Sequence, residues 1–143
     1  MKRTLSLIGL CGISLLLLTG CESKSTLKCN KNESETDVSI TASFNDNKIE
    51  SMNLEYLLNF SNYSDAEIET FNNQDLCSGV KAGMEDFKDT FSDCKQNIEN
   101  KNIKITANFD INKIKDDKLN MIQTPDNAKK ELEKSRYKCK IEK

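Results

Sequence analysis

The residues best equipped for chemistry are six cysteines, at positions 11, 21, 29, 77, 94 and 139. A thiolate can serve as nucleophile, metal ligand or disulfide partner, and its surroundings decide which. The chain has no histidine, which removes Ser-His-Asp and Cys-His pairings together with the commonest general base and transition-metal ligand. It has no tryptophan, no CxxC and no glycine-rich phosphate loop. Carboxylates are the other candidates. Glu85, Asp86 and Asp89 are close in sequence and Asp116-Asp117 are adjacent, so a divalent ion or an acid/base pair has groups to use there. A solvated charged face explains all five equally well. The expectation is a chain that is not an enzyme, with no catalytic residue, no metal ligand and no cofactor.

Cys21 stands apart by what precedes it. Lys2 and Arg3 are followed by an apolar run from Leu5 to Leu18, which leads into Leu18-Thr19-Gly20-Cys21. A membrane-crossing helix needs roughly 20 apolar residues, and this run is 14 long. It therefore reads as an export leader. Leu18, Thr19, Gly20 and Cys21 resemble the lipobox of bacterial lipoprotein precursors. That resemblance implies a diacylglyceryl group on the Cys21 sulfur and signal-peptidase cleavage between Gly20 and Cys21. It also implies a protein anchored by lipid at the extracytoplasmic face of the cell membrane. Two acyl chains, at about 0.8 kcal/mol per buried methylene, make such an anchor stable.

On this reading residues 1–20 are a removed signal peptide and residues 21–25 are the lipidated N-terminus and a short tether. Residues 26–143 form a single domain, the size that one hydrophobic core supports. A tether spanning at most about 3.6 Å per residue keeps that domain against the membrane. The formal net charge of the 143-residue chain is −2, and loss of Lys2 and Arg3 makes the mature chain more acidic. Dispersed lysines on an acidic chain give no electrostatic footprint for nucleic acid. The membrane is the partner that the sequence implies.

With Cys11 in the leader and Cys21 lipidated, Cys29, Cys77, Cys94 and Cys139 remain. Four cysteines in an exported domain imply two disulfides, with three possible connectivities.

The elements that must position these residues follow from periodicity. Ser25–Cys29 forms a first short strand with Leu27 and Cys29 on one face, and Asn30–Glu35 is polar and turn-like. Val38, Ile40, Ala42 and Phe44 alternate with Ser39, Thr41 and Ser43, the period of a strand with one buried face. Asn45-Asp46-Asn47 is a hairpin turn. The following strand places Met52, Leu54, Tyr56, Leu58 and Phe60 on one face, with Asn53, Glu55 and Asn59 opposite. Ser64-Asp65-Ala66-Glu67 is a capping box opening a short helix with Ile68 and Phe71 inward. Cys77, Val80, Met84, Phe87 and Phe91 form one apolar stripe, which predicts a main helix from about 74 to 92.

A second hairpin follows, with Cys94, Gln96 and Ile98 before a turn at Asn100-Lys101 and Ile103, Ile105, Ala107, Phe109 and Ile111 after it. Residues 114–123 read as a polar connection. Thr124-Pro125 supplies an N-cap and a first-turn proline for a helix that buries Ala128 and Leu132. A last strand over 136–141 faces Tyr137, Cys139 and Ile141 inward.

The order β-β-β-α-β-β-α-β predicts an α+β domain, a mainly antiparallel sheet covered on one face by a central helix and tied by two disulfides. Leu27-Lys28-Cys29 and Tyr137-Lys138-Cys139 are matching half-buried strands at opposite ends of the domain, and Cys77 lies on the helix just before the strand of Cys94. The favoured pairing is Cys29–Cys139 with Cys77–Cys94; the runner-up is Cys29–Cys77 with Cys94–Cys139.

This layout, with its Leu27-Lys28-Cys29 and Tyr137-Lys138-Cys139 segments, resembles the YehR-like group of small bacterial lipoproteins over most of residues 25–141. The resemblance implies a fold and a location, and no activity. The function expected is a non-catalytic binding or interaction module at the cell envelope. Its candidate surface is the polar sheet face of Ser39, Thr41, Asn53, Glu55, Lys104, Thr106 and Asn108. The alternatives are a carboxylate-dependent envelope enzyme and a small disulfide-stapled inhibitor that presents a loop from Asn30–Glu35 or Lys113–Gln123.

Overall fold

Strict alternation in the second strand sets the architecture. Val38, Ile40, Ala42 and Phe44 are buried while the residues between them are not. In the computed structural model, which describes residues 23–143, six strands build one sheet. They are β1 (Lys24–Glu33), β2 (Thr36–Asn45), β3 (Lys48–Asn59), β4 (Phe91–Glu99), β5 (Asn102–Phe109) and β6 (Lys138–Glu142). The order across the sheet is β4-β5-β3-β2-β1-β6, with every neighbouring pair antiparallel. Four helices cover one face: α1 (Asp65–Asn72), α2 (Leu76–Gly83), α3 (Asp116–Ile122) and α4 (Pro125–Lys134). The expected α+β class and antiparallel sheet are what the chain forms. Residues 1–22, including the stretch read as a leader and lipobox and Cys21, lie outside the described residues.

The hairpin turns follow from residues that accept positive φ. Asp46 and Asn47 (φ 48° and 60°) join β2 to β3, and Asn100 and Lys101 (φ 49° and 62°) join β4 to β5. Two left-handed central residues match the right-handed twist of the flanking strands. Between β2 and β3 the register passes from Ser43 opposite Ser51 to Phe44 opposite Ile49, leaving Glu50 as an extra residue. That bulge lets Ile49 and Met52, three positions apart, both face inward and stay buried.

Both disulfides have the favoured connectivity. Cys29 and Cys139 stand directly opposite each other in the β1–β6 register, with Cα atoms 4.1 Å apart. Cys77 of α2 is bonded to Cys94 of β4, with a Cα separation of 6.0 Å. The first joins residues 110 apart in sequence and the second residues 17 apart.

Several boundaries differ from the sequence reading. The stripe expected on one helix over 74–92 is divided: α2 ends at Gly83, a 3-10 helix covers Glu85–Thr90, and Phe91 already belongs to β4. Gly79 and Gly83 weaken the α-helix there, and Phe91 stacks instead on Phe109 of β5, with ring centroids 4.7 Å apart. Phe71 is 37% exposed, resting on Phe60 and Tyr63 rather than in the core. Ile98 is also at the surface. Strand β1 begins at Lys24, inside the stretch read as a tether, and runs through the stretch read as a turn to Glu33, so the turn contracts to Ser34 and Glu35. The stretch read as a polar connection contains α3. Of the two loops proposed for an inhibitor, one is thus a hairpin and the other mostly helix.

Besides the Cys77–Cys94 bond, the Gln96 side chain fastens α2 to the sheet by hydrogen bonds. The Gln96 amide of β4 donates to the Asn72 and Gln74 carbonyls, and its oxygen accepts from the Leu76 N–H at 3.1 Å. Gln96 therefore satisfies backbone groups at the end of α1 and the start of α2, which have no helical partner there.

Candidate functional site: an open polar face and an apolar cleft

The sheet has one face without helices. Register places Ser39, Glu55 and Thr106 side by side across β2, β3 and β5, and Thr41, Asn53 and Asn108 in the next row. Lys104 lies one row further along, opposite Leu57. All seven residues picked from the sequence therefore share this face. Six of them line a shallow depression of about 500 Å³, joined by Lys28 and Asn30 of β1. The sequence reading ended β1 too early to include Asn30, although the alternation of Lys28 and Asn30 with Cys29 carried the signal. Asn30 accepts from the Ser39 hydroxyl at 2.8 Å, and the Lys104 ammonium meets the Glu55 carboxylate at 3.2 Å. That bond raises the pKa of Lys104. At the edge, Lys28 pairs with Glu142 at 2.7 Å, which lowers the pKa of Glu142. The face is a mosaic of paired charges, amides and hydroxyls suited to hydrogen bonding with a polar partner.

The helical side holds a different feature. Between the sheet and its cover is an apolar cleft of about 210 Å³. Its floor is Ile40, Ala42, Ile49, Met52 and Phe109 of the sheet. Its walls are Met84 and Phe87 on one side and Met121, Ile122, Ala128 and Leu132 from α3 and α4 on the other. Lys118, Glu131 and Ser135 add polar groups to the lining. Three of the four methionines in the chain contribute, the other being Met1. Met121 is 44% exposed. The sequence reading placed Met84, Phe87, Ala128 and Leu132 inward but missed the cleft, because α3 was read as a connection. The acidic pair Asp116-Asp117 at its start and the spacing of Leu119 and Ile122 are helix signals that reveal α3.

Of the carboxylates considered for catalysis, Asp89, Asp116 and Asp117 do not line this cleft. Asp116 and Asp117 are exposed in the first turn of α3, and Asp89 is exposed in the 3-10 helix. Glu85 and Asp86 open that 3-10 helix, and their side chains are outside the description. Glu131 is the carboxylate lining the cleft among the described residues. Among those residues no group of three His, Cys, Asp or Glu is placed to hold a metal ion. All four cysteines described are bonded in pairs.

At the start of β1 the chain runs beside the β2–β3 turn. The Ser23 N–H donates to the Asp46 carboxylate at 3.1 Å, and the Asp46 N–H donates back to the Ser23 carbonyl at 3.1 Å. The Ile49 N–H donates to the Gln123 carbonyl between α3 and α4. Ile49 and Ile122 of the cleft are therefore near the end of the sheet where β1 starts. Among the described residues no helix is long and apolar enough to cross a membrane.

No family model matches the chain, and no curated protein matches it. It is similar to a solved structure described as the NMR structure of the protein from Streptococcus pneumoniae TIGR4. The two share 12% identity and a TM-score of 0.46, over 98% of this chain and 94% of the other. The reading of function therefore rests on this chain's own residues.

Proposed function

We propose that the chain is a lipid-anchored, extracytoplasmic binding module of the bacterial envelope, without catalytic activity. The observation that carries the binding part is the juxtaposition of two unlike surfaces on one disulfide-tied sheet. One is a polar face open to a hydrophilic partner, and the other an apolar cleft under the helices. Leu18-Thr19-Gly20-Cys21 supports the anchor, as does the resemblance to small bacterial lipoproteins. Strand β1 starts at Lys24, which leaves Glu22 and Ser23 between Cys21 and the sheet. A lipid on Cys21 would hold the domain by the end carrying the Asp46–Asn47 turn, with the polar face running away from the membrane.

The test is lipidation at Cys21. Mass spectrometry of the N-terminal peptide should show a diacylglyceryl group on Cys21, and Cys21→Ala should leave the precursor unmodified and uncleaved at Gly20. A mature-length Cys21→Ala chain still retained in membranes would overturn the anchor. Capture experiments with the anchored protein should return an envelope partner that depends on Asn53 and Thr106; repeated capture of nothing counts against the binding reading.

A further inference from the structure

We propose that the outer edge of β6 takes up an extended acidic peptide segment of an envelope partner, which adds an antiparallel strand to the sheet. This rests on the binding-module reading and names a surface and a partner chemistry for it. Strand β6 ends the sheet, and among the described residues nothing pairs with its outer side. The Cys29–Cys139 pair tells which backbone groups look outward. Opposed Cα atoms are about 4.5 Å apart in a non-hydrogen-bonded antiparallel pair and about 5.5 Å in a hydrogen-bonded one; here they are 4.1 Å apart. The N–H and C=O groups of Cys139, and of Ile141 two residues on, therefore point away from β1. They are a template for one more strand.

Charge along the same edge selects the partner. Lys138 and Lys140 are exposed, and register sets them beside Asn30 and Lys28 on the open polar face. Arg136 and Lys138 also line a depression of about 230 Å³ with residues 30–33. Glu142 is shared by Lys28 at 2.7 Å and Lys140 at 3.5 Å. Glu33 is met by Lys31, and Asp37, one strand further in, accepts from the Asn32 amide. Arg136 and Lys138 make no ion pair among the described residues, so a chain of net charge −2 keeps a cationic surplus at this edge. The opposite edge strand has none: Asp93, Lys95 and Glu99 alternate in sign along β4, and Lys95 meets Asp93 at 3.3 Å.

The two observations fit one geometry. A strand bonded to Cys139 and Ile141 sets its intervening residues opposite Lys138 and Lys140 as non-hydrogen-bonded pairs, where side chains approach most closely. Acidic residues two apart, about 6.8 Å along a strand, match that pair of ammonium groups. Opposite Glu142 the peptide needs a residue that is not acidic, because like charges directly opposed are destabilising. Lysines on an edge discourage indiscriminate pairing, and the same repulsion makes the edge specific for an acidic strand. Backbone bonds supply affinity in such strand addition, and alternate side chains supply the choice of partner.

The probe is the peptide acetyl-Thr-Lys-Val-Glu-Val-Glu-Thr-amide, titrated by NMR into the full lipidated protein in nanodiscs of zwitterionic lipid. Binding should saturate and slow amide exchange at Cys139 and Ile141. Lys138→Glu with Lys140→Glu should weaken it at least tenfold, and this double variant should instead bind the peptide whose two glutamates are replaced by lysine. Both lysines are exposed, so the fold should persist, which unchanged exchange in β2 and β3 checks. N-methylation of the two peptide valines removes the donors to the Cys139 and Ile141 carbonyls and should also weaken binding at least tenfold with every charge kept. Equal binding by the N-methylated peptide, a response that never saturates, or indifference to the charge reversal overturns the proposal. A shift at Arg136 and Lys138 that inorganic phosphate reproduces, without slowed exchange at Cys139 and Ile141, shows an anion site only and overturns the added strand. Failure of the titration leaves lipidation at Cys21 and capture through Asn53 and Thr106 standing. Loss of either of those with the titration intact leaves the β6 edge in place.

Discussion

At the scale of single residues, the most strongly perturbed group among the described residues is a phenol just before β6. Burial raises the pKa of Tyr137 to about 12, with the neighbouring Tyr56 and Glu33 acting in the same direction. Tyr56 is raised as well, again chiefly by burial. The Lys31 ammonium lies 5.8 Å from the Tyr137 ring centroid, within reach of a cation–π contact. A phenol that holds its proton more tightly when folded contributes stability that is fully present below its unfolded value of 10.0. That contribution is lost as pH rises towards 12. In this interval the unfolded chain releases the proton first, so alkali favours unfolding. Tyr137→Phe removes the titrating hydroxyl. Urea unfolding of both proteins should show the variant gaining on the wild type as pH climbs past 10, with no such trend near neutrality. A difference independent of pH would mean that the hydroxyl is not held neutral by the fold.

At the scale of elements, the structure was legible wherever a local rule was strong enough to act alone. The alternation in β2 and β5, the Ser64–Glu67 capping box and the Thr124-Pro125 start of α4 all form as read. The cysteine pairing was favoured in the sequence by matching alternating segments at the two ends of the domain, and the β1–β6 register decides it against the runner-up. The α2 stripe misled because 3-4 spacing fits both one long helix and a short helix followed by a 3-10 turn. Pairing of Phe91 with Phe109, a tertiary contact, decided between them. The cleft was not legible, since it exists only where α3, α4 and the sheet meet. One element end carries a residue that local rules disfavour. After α4 the Arg136 N–H donates to the Glu133 carbonyl at 3.0 Å, and the Tyr137 N–H donates to the Leu132 carbonyl at 3.2 Å. This is the Schellman arrangement, and Arg136 adopts the left-handed φ of 68° that it needs. Glycine takes that conformation without the Cβ penalty, which is about 1 kcal/mol or slightly more. Arg136→Gly should therefore stabilise the protein by about 1 kcal/mol in chemical denaturation, and a loss of stability would show that the arginine side chain contributes more than the strain takes away.

At the scale of the whole molecule, the two disulfides do different work. Cys77–Cys94 ties α2 to β4 beside it, and Gln96 holds the same junction by hydrogen bonds. Cys29–Cys139 joins the two ends of the domain, fastening the five-residue edge strand β6 to β1. Strand β6 follows α4 through the Schellman turn, and Ala128 and Leu132 of α4 form a wall of the apolar cleft. The terminal disulfide is thus the covalent support of that wall. Loop-entropy models assign about 4.7 kcal/mol to closing a loop of roughly 100 residues and about 3 kcal/mol to one of roughly 15. The sequence separations of 110 and 17 put the two bonds near those cases. Replacing Cys29 and Cys139 together by serine should destabilise the domain by about 4–5 kcal/mol, against about 3 kcal/mol for Cys77 and Cys94. The sharper expectation concerns where the loss falls. Without Cys29–Cys139, amide exchange should accelerate in α4 and β6 before the central strands β2, β3 and β5, whose backbones are paired on both sides. Without Cys77–Cys94 the acceleration should be confined to α2 and β4, leaving α4 protected. If α4 stays protected in the first double variant, packing on β1 and α3 alone holds the cleft wall, and the terminal disulfide acts only on the unfolded chain.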